Sequence, residues 1–490
     1  MKTAYLVYCA NNQALPHFPE SSLALAAELK KINIPVKIID LRLVNQRKIK
    51  IEDPLFFGFT IYSNESIKYA LDFAKAMRRE FPRTPLVWGG PHVHMMPEQT
   101  AEHALVDLAC YGEGETTISE LGRILATGSN DFSKIPQVVY KQNGLIQKTP
   151  QQPLQKLDDI EFYPYELLDL PLYEKAAKTH FYYQTSRGCV HHCRFCNYNY
   201  QYTWRGKSGA KVTAEIQEIV ERFHPYELYF SDANFFADKN RVQDILLRVK
   251  AANFPDFRWM AFCRFDDLSA FSDELMALMK DTGCLRLNLG GESGSDRILS
   301  YLNKGVTIKQ IQEGLKRCVE YGIVADVSFI AGVPGETDDD LCETLTVISD
   351  IYKKYPGHMV NGLFYYQPYP NTPLMEEIAG RYALPIPHDL SGWGHRPVTS
   401  PRREYFPWLS DKAYSKIFSL TQIVNFLYLK QRLEDYLKNG VMNKKYVFLL
   451  KLCGILTPFV KLRLKKKNFD FPWEWKLYYF LKKRFVGMDL

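Results

Sequence analysis

The chain predicts an α/β protein built on two unlike sheets: a doubly wound, Rossmann-like domain, then a partial (β/α)6 barrel, then a helical C-terminal region. Two observations carry this. Apolar runs alternate with amphipathic stretches over most of the chain, and strands that read as unbroken apolar runs belong in parallel sheets covered on both faces. The runs also fall into two groups, five before residue 112 and six between 181 and 370. A chain of 490 residues has room for two or three domains. The expected division is 1–140 for the first domain, 141–180 for a linker, 181–385 for the barrel and 386–490 for the helical, basic and aromatic end.

In the first domain the strands are "TAYLVY" (3–8), "VKIID" (36–40), "LFFGFTI" (55–61), "PLVWGG" (85–90) and "LVDLACYG" (105–112), with helical stretches such as 21–32 and 66–81 between them. Open parallel sheets bind ligands beyond the carboxyl ends of their strands. Ser63, Gly89 and Gly90, and the "YGEGET" segment with Gly112, Glu113 and Gly114 fall there. Glycines at such a rim let the backbone approach a large ligand closely. The connector carries a hairpin, "QVVYKQNGLIQK", with an Asn-Gly turn. The barrel strands are "FYYQTSRG" (181–188), "ELYFSDANF" (227–235), "RWMAFCRF" (258–265), "CLRLNLGGES" (284–293), "VADVSFIAG" (324–332) and "VNGLFYYQPYP" (360–370). A barrel of this kind places its chemistry at the carboxyl ends of its strands.

The most specific signal is "TSRGCVHHCRFCNY", Thr185–Tyr198, which holds Cys189, Cys193 and Cys196. The chain has ten cysteines, and the rest are scattered singly from Cys9 to Cys453, as small buried hydrophobes are. With no signal peptide at its start, the trio reads as a metal site in a reducing, cytoplasmic compartment. A closed zinc site needs four ligands, and no second ligand pair follows. His191 and His192 sit too close to the thiols for an unstrained tetrahedron. An iron–sulfur cube fits better, because three thiolates leave one of its four irons open.

This CxxxCxxC loop, with Phe195 before the last cysteine, resembles the cluster loop of the radical S-adenosylmethionine (SAM) enzymes. The resemblance implies a 4Fe-4S cluster on Cys189, Cys193 and Cys196 whose open iron chelates SAM. It also assigns cofactor contacts at successive strand ends: Phe195 in the loop, Asp232 beside the SAM amino group with Asn234 near it, and Arg264 toward the carboxylate. Glu292 and Ser293 would serve the ribose hydroxyls, and Gly332 and Pro334, followed by Glu336, an adenine shelf. Catalytic residues beyond these are not assigned. The "GGPH" and "GEGE" segments of the first domain resemble those of the cobalamin-binding domain that precedes many such barrels. The Asp-x-His-x-x-Gly motif of domains that ligate cobalt from below is missing; that position reads "CANNQALPHFPE", where His17 lacks the Asp and Gly context. Cobalamin is therefore expected without a histidine lower ligand.

The resemblance implies reductive SAM cleavage to a 5′-deoxyadenosyl radical and transfer of a methyl group from methylcobalamin to an unactivated carbon. Radical cyclisation, rearrangement or oxidation without methyl transfer is the alternative. A small-molecule or lipid-like substrate and an electron donor such as flavodoxin or ferredoxin follow as partners. Net charge is +7, but residues 441–490 hold twelve Lys/Arg against three Asp/Glu, so the basicity belongs to the C-terminal end. That end reads either as a helical cap on the barrel or as a peripheral contact with an anionic membrane surface. Nucleic acid is not an expected partner, since the methylthiotransferases that modify tRNA carry a cysteine-bearing first domain instead. No uncharged apolar run reaches the roughly 18–20 residues of a membrane span.

Overall fold

The computed structural model describes residues 2–9, 16–43, 49–198, 203–355, 357–395, 402–438 and 444–466, and parts of 473–480. Its first sheet has seven strands in the order β2-β1-β3-β4-β5-β6-β7. These are β1 Thr3–Tyr8, β2 Val36–Asp40, β3 Pro54–Thr60, β4 Leu86–Gly89, β5 Leu108–Cys110, β6 Val138–Gln142 and β7 Leu145–Lys148. β1 to β5 pair in parallel. Side-chain alternation along β1 explains the double cover. Ala4 and Leu6 enter the core under helices Glu20–Lys31 and Gly114–Ala126, while Tyr5 and Val7 face helix Ser66–Glu80. The chain winds outward from β1 in both directions, so the crevice past the ends of β1 and β3 is the switch point where such sheets bind ligands.

The hairpin expected in the connector is built into this sheet. β6 pairs antiparallel to β5 and β7 antiparallel to β6, so the sheet runs to Lys148. Asn143 (φ 53°) and Gly144 (φ 78°) are both left-handed, as a two-residue hairpin turn that matches strand twist requires.

The second sheet is wholly parallel and sequential: β8 Phe181–Tyr183, β11 Leu228–Phe230, β12 Trp259–Cys263, β13 Cys284–Glu292, β14 Val324–Ala331 and β15 Met359–Tyr365. The helices that follow the strands start on Ser208, Asp238, Ser272, Thr307, Thr337 and Thr372, whose side chains each accept a hydrogen bond from the first turn. Between β8 and β11, Ser186–Arg187 (β9) and Arg205–Gly206 (β10) form a short antiparallel ribbon that brackets the cysteine loop. β8 and β15 do not pair, which leaves the barrel open on one side. Helix Asp411–Lys438 covers that opening: Ile417, Leu420 and Val424 join the barrel core, and Arg432 lies 3.3 Å from His180, the residue before β8.

Candidate active site: two cavities around one cysteine loop

The larger cavity, about 1060 Å3, lies between the carboxyl edge of the first sheet and the mouth of the barrel. It exceeds the roughly 300–1,000 Å3 of ordinary small-ligand pockets. From the first domain come Tyr8, Thr60, Tyr62, Gly89, Gly90, Gly112, Glu113 and Gly114; from the barrel side come Tyr182, Gln184, Ser231, and Phe195 and Cys196 of the cysteine loop. Gly90 has φ 98°, and a Cβ there would lie 2.8 Å from the Ile61 carbonyl, so the turn after β4 can be made only by glycine. His94 holds the neighbouring turn by accepting a 2.8 Å hydrogen bond from Gly112 N–H.

Two residues expected at this rim have other duties. Ser63 is not in the cavity wall; its hydroxyl lies 2.9 Å from His92 Nδ1. His92 is fully buried with its ring edge-on to Trp393, so it points into the core and away from the cavity. Glu113 does line the cavity, but its carboxylate accepts from Arg187 at 2.9 Å and from Arg205 at 2.8 Å. Glu115 accepts from Arg187 at 2.6 Å. Burial alone would raise the Glu115 carboxyl, but the Arg187 guanidinium outweighs it and holds the group below the usual carboxylate range. The "GEGE" turn of the first domain thus grips the "SRGC" strand end of the barrel. The two arginines were missed in the sequence because nothing in either motif says that the other lies opposite.

The smaller cavity, about 200 Å3, lies inside the barrel mouth and is lined by Ala233, Asn234, Arg264, Asn288, Glu292, Lys304 and Asp326 among others. Arg264 is 8% exposed, pairs with Asp266 at 2.9 Å and sits 3.5 Å from Cys193 Sγ. Lys304 Nζ lies 2.7 Å from Glu292 Oε1. The buried amide of Asn234 and the buried Oδ1 of Asn288 have unmatched hydrogen-bonding capacity aimed into a polar site. Lys304 was not singled out in the sequence: it lies twelve residues past Glu292, beyond a helix, with no periodic relation to it.

Other expected contacts are engaged elsewhere. Asp232 is fully buried and accepts from Thr185 N–H, Thr185 Oγ1 at 2.9 Å and Ser186 Oγ. It ties the end of β11 to the exit of β8, and its neighbour Asn234 faces the cavity instead. Ser293 is fully buried and bonded to Thr344 and to Ser295 N–H, within the turn that starts the next helix. Gly332 accepts a 2.9 Å hydrogen bond from the Trp408 indole and lies under Phe406, Leu409 and Ile417. Gly332 and Pro334 line neither cavity, and the segment after residue 402 covers Gly332. Asn371, after β15, takes a left-handed turn with φ 54°.

The cysteine loop stands between the two cavities. Cys196 lines the large one, and Cys193 touches Arg264 of the small one. The loop is tethered by Arg194, which pairs with Glu377 and donates to the Tyr301 carbonyl, and by Asn303, which donates to His192 O at 2.7 Å. All three thiols are free. Among the described residues no three such side chains are gathered tightly enough for a single metal ion. A cube presents a separate iron to each thiolate, so the donor set suits a cluster better than one ion.

Residues 183–348 match the Radical SAM superfamily, and residues 21–122 match the B12 binding domain. An uncharacterized methyltransferase of Pyrococcus horikoshii is 32% identical over 73% of this chain and 78% of its own length. The anaerobic magnesium-protoporphyrin IX monomethyl ester cyclase of Cereibacter sphaeroides is 24% identical over 83% of this chain and 64% of its own length. Among solved structures, the cobalamin-dependent SAM radical enzyme OxsB, with aqua-cobalamin and SAM bound, has a TM-score of 0.71 at 18% identity, covering 100% of this chain and 81% of its own. The radical SAM methyltransferase TsrM of Kitasatospora setae, with cobalamin and a 4Fe-4S cluster bound, has a TM-score of 0.66 at 18% identity, covering 78% of each chain.

The chain belongs to the radical SAM superfamily, in the branch that carries a B12-binding domain ahead of the barrel. Membership implies a 4Fe-4S cluster, SAM and cobalamin as cofactors. The described residues fit them: three free thiols for the cluster, an under-satisfied polar pocket beside Cys193 for SAM, and a large glycine-rimmed cavity at the switch point for a macrocycle.

Proposed function

We propose that this chain is a methyltransferase that acts on an unactivated carbon of a small-molecule or lipid-like substrate and draws its electrons from a flavodoxin- or ferredoxin-like donor. The observation that carries the reading is that Cys196 and Phe195 share one cavity wall with Gly89, Gly90, Gly112 and Gly114, so both cofactor sites open into one chamber. When bound, the cluster with SAM supplies a hydrogen-abstracting radical and cobalamin supplies a methyl group.

The chain's own residues bind, orient and exclude water. Cys189, Cys193 and Cys196 would hold the cluster. Arg264 and the Glu292–Lys304 pair present opposite charges to a zwitterionic ligand beside Cys193. Arg187 and Arg205 clamp the two domains so that the chamber keeps its width. Tyr182, packed 4.8 Å from Tyr229, supplies an aromatic wall on the barrel side.

Cobalamin would sit without a histidine below the cobalt. His92 faces the core, and His94 is engaged with Gly112. His17 lines the cavity edge-on against Tyr182, 4.3 Å between rings, which holds its ring on the barrel side.

The test is to feed producing cells methionine with a deuterated methyl group and compare their metabolites with those of cells lacking the chain. A metabolite that gains the labelled methyl on carbon only when the chain is present is expected. A chain-dependent product formed without label, with cyclised or oxidised carbon, would overturn methyl transfer in favour of the cyclase-type chemistry.

A further inference from the structure

Helix Lys444–Lys466 is apolar on two faces: one packs on the barrel, and the other is exposed among the described residues. Cys453, Leu456 and Val460 are buried in the barrel core cluster, beside the helix that closes the barrel. About a third of a turn away, Ile455 is 67% exposed, Phe459 48% and Leu462 47%. Their spacing puts them on one stripe about 10 Å long. Trp473 meets Phe459 edge-on at 5.5 Å, which widens the stripe into a patch, and Leu477 and Phe480 of the same segment are also exposed. The patch is held in place, since Arg463 pairs with the almost fully buried Glu474 at 2.6 Å. Contiguous exposed apolar surface of this kind marks an interaction site.

Charge identifies what covers it. Residues 441–490 carry twelve Lys/Arg and three Asp/Glu, while the remainder of the chain is slightly acidic. No described helix is long and apolar enough to cross a membrane. An apolar stripe with aromatic residues, set in a strongly cationic segment too short and charged to span, is the pattern of a helix that lies in the headgroup region of an anionic bilayer.

We propose that the Ile455–Phe459–Leu462 face, with Trp473, docks the enzyme on an anionic lipid surface. The apolar side chains enter the headgroup boundary, and the net positive charge of segment 441–490 draws the lipid phosphates. The helix that closes the barrel opening packs directly on this one, so docking sets the barrel beside the bilayer.

The experiment is vesicle flotation of the full chain, with its cluster reconstituted, on phosphatidylcholine vesicles with and without phosphatidylglycerol. Wild type is expected to float with the anionic vesicles at least about tenfold more than with neutral ones, and less in high salt. Ile455→Glu/Phe459→Glu should lose flotation while keeping melting temperature and reductive SAM cleavage, because both side chains face outward. Lys465→Glu/Lys466→Glu provides a second route that leaves the apolar face intact and should weaken flotation in the same direction. Absence of wild-type flotation, or flotation of the apolar variant equal to wild type, would overturn the proposal. A wild-type dimer that the apolar variant converts to monomer with no lipid binding would assign the face to self-association instead and overturn it equally.

Discussion

The two cavities on either side of the cysteine loop are made in opposite ways. The smaller one is wired before any ligand arrives: Arg264 to Asp266, Lys304 to Glu292, with Asn234 and Asn288 left under-satisfied. The larger one is a rim of glycines and aromatic rings whose charges face each other across the domain junction, Arg187 and Arg205 against Glu113 and Glu115. A zwitterion of fixed shape is recognised by oriented charges. A broad macrocycle is recognised by space, and space at a domain junction must be propped open. The charges near the large cavity therefore act on architecture, and those of the small cavity act on the ligand.

The largest effect separates both cavities from the loop between them. Replacing Cys189, Cys193 and Cys196 with Ala should abolish the iron–sulfur absorbance near 400 nm of anaerobically reconstituted protein and reduce SAM cleavage to background. Retention of near-full iron and sulfide would show that the cluster ligands lie elsewhere.

The propping role is tested next. Arg187→Met leaves the buried Glu115 without its ion-pair partner while Glu113 keeps Arg205, and stranding a buried charge costs about 3–5 kcal/mol. Urea unfolding followed by intrinsic fluorescence should show a clearly lower midpoint. In wild type the sign is definite: Glu115 is held below its ordinary value, so its contribution to stability is present above that value and is lost as pH falls through the lowered one. The variant should lack that acid-side loss.

For the small cavity, Lys304→Met should raise the KM for SAM by about tenfold, of the order expected for one charge-assisted contact, with cluster content unchanged. A KM equal to wild type would mean that the Glu292–Lys304 pair braces the strand end and does not meet the ligand.

The smallest effect concerns Glu20, in the wall of the large cavity at the start of its helix. Burial raises its carboxyl to about 8. Its folded-state value lies above the unfolded one, so the Glu20 contribution to stability is fully present below about pH 4.5 and declines as pH rises toward about 8. Glu20→Gln should flatten that decline in thermal melts; an unchanged slope would mean that the carboxyl is solvated in the folded chain.

How far the molecule was legible depends on the range over which its information acts. The eleven expected strands are present, since each is a local apolar run, and the cysteine loop stands out through spacing alone. Glu292 and Arg264 reached a cavity because residues at the ends of parallel strands converge by topology. Asp232 and Asn234 show the limit. They are two positions apart at one strand end, yet the first is sealed by Thr185 and Ser186 and the second faces the pocket. Gly332 is covered by a segment more than seventy residues away, whose Trp408 donates to its carbonyl, a contact with no local signature. The Asn143–Gly144 turn was read as a hairpin, but which sheet the hairpin would join is a long-range fact.

The central claim is that the glycine-rimmed cavity takes cobalamin, and Gly89 tests it most directly. Gly89 lines the cavity, and a Cβ on it would meet its nearest neighbour, the Cys110 carbonyl, at an ordinary 3.8 Å, so Gly89→Leu can fill the rim without straining the backbone. The measurement is cobalamin retained after anaerobic reconstitution and desalting, read by absorbance, with electron paramagnetic resonance of the cobalt(II) form. Wild type should retain cobalamin with no nitrogen splitting from a histidine, and Gly89→Leu should retain at least about tenfold less while keeping its melting temperature and cluster absorbance. Folded wild type that retains none, or a Gly89→Leu variant that binds as well as wild type, would contradict the assignment of this cavity.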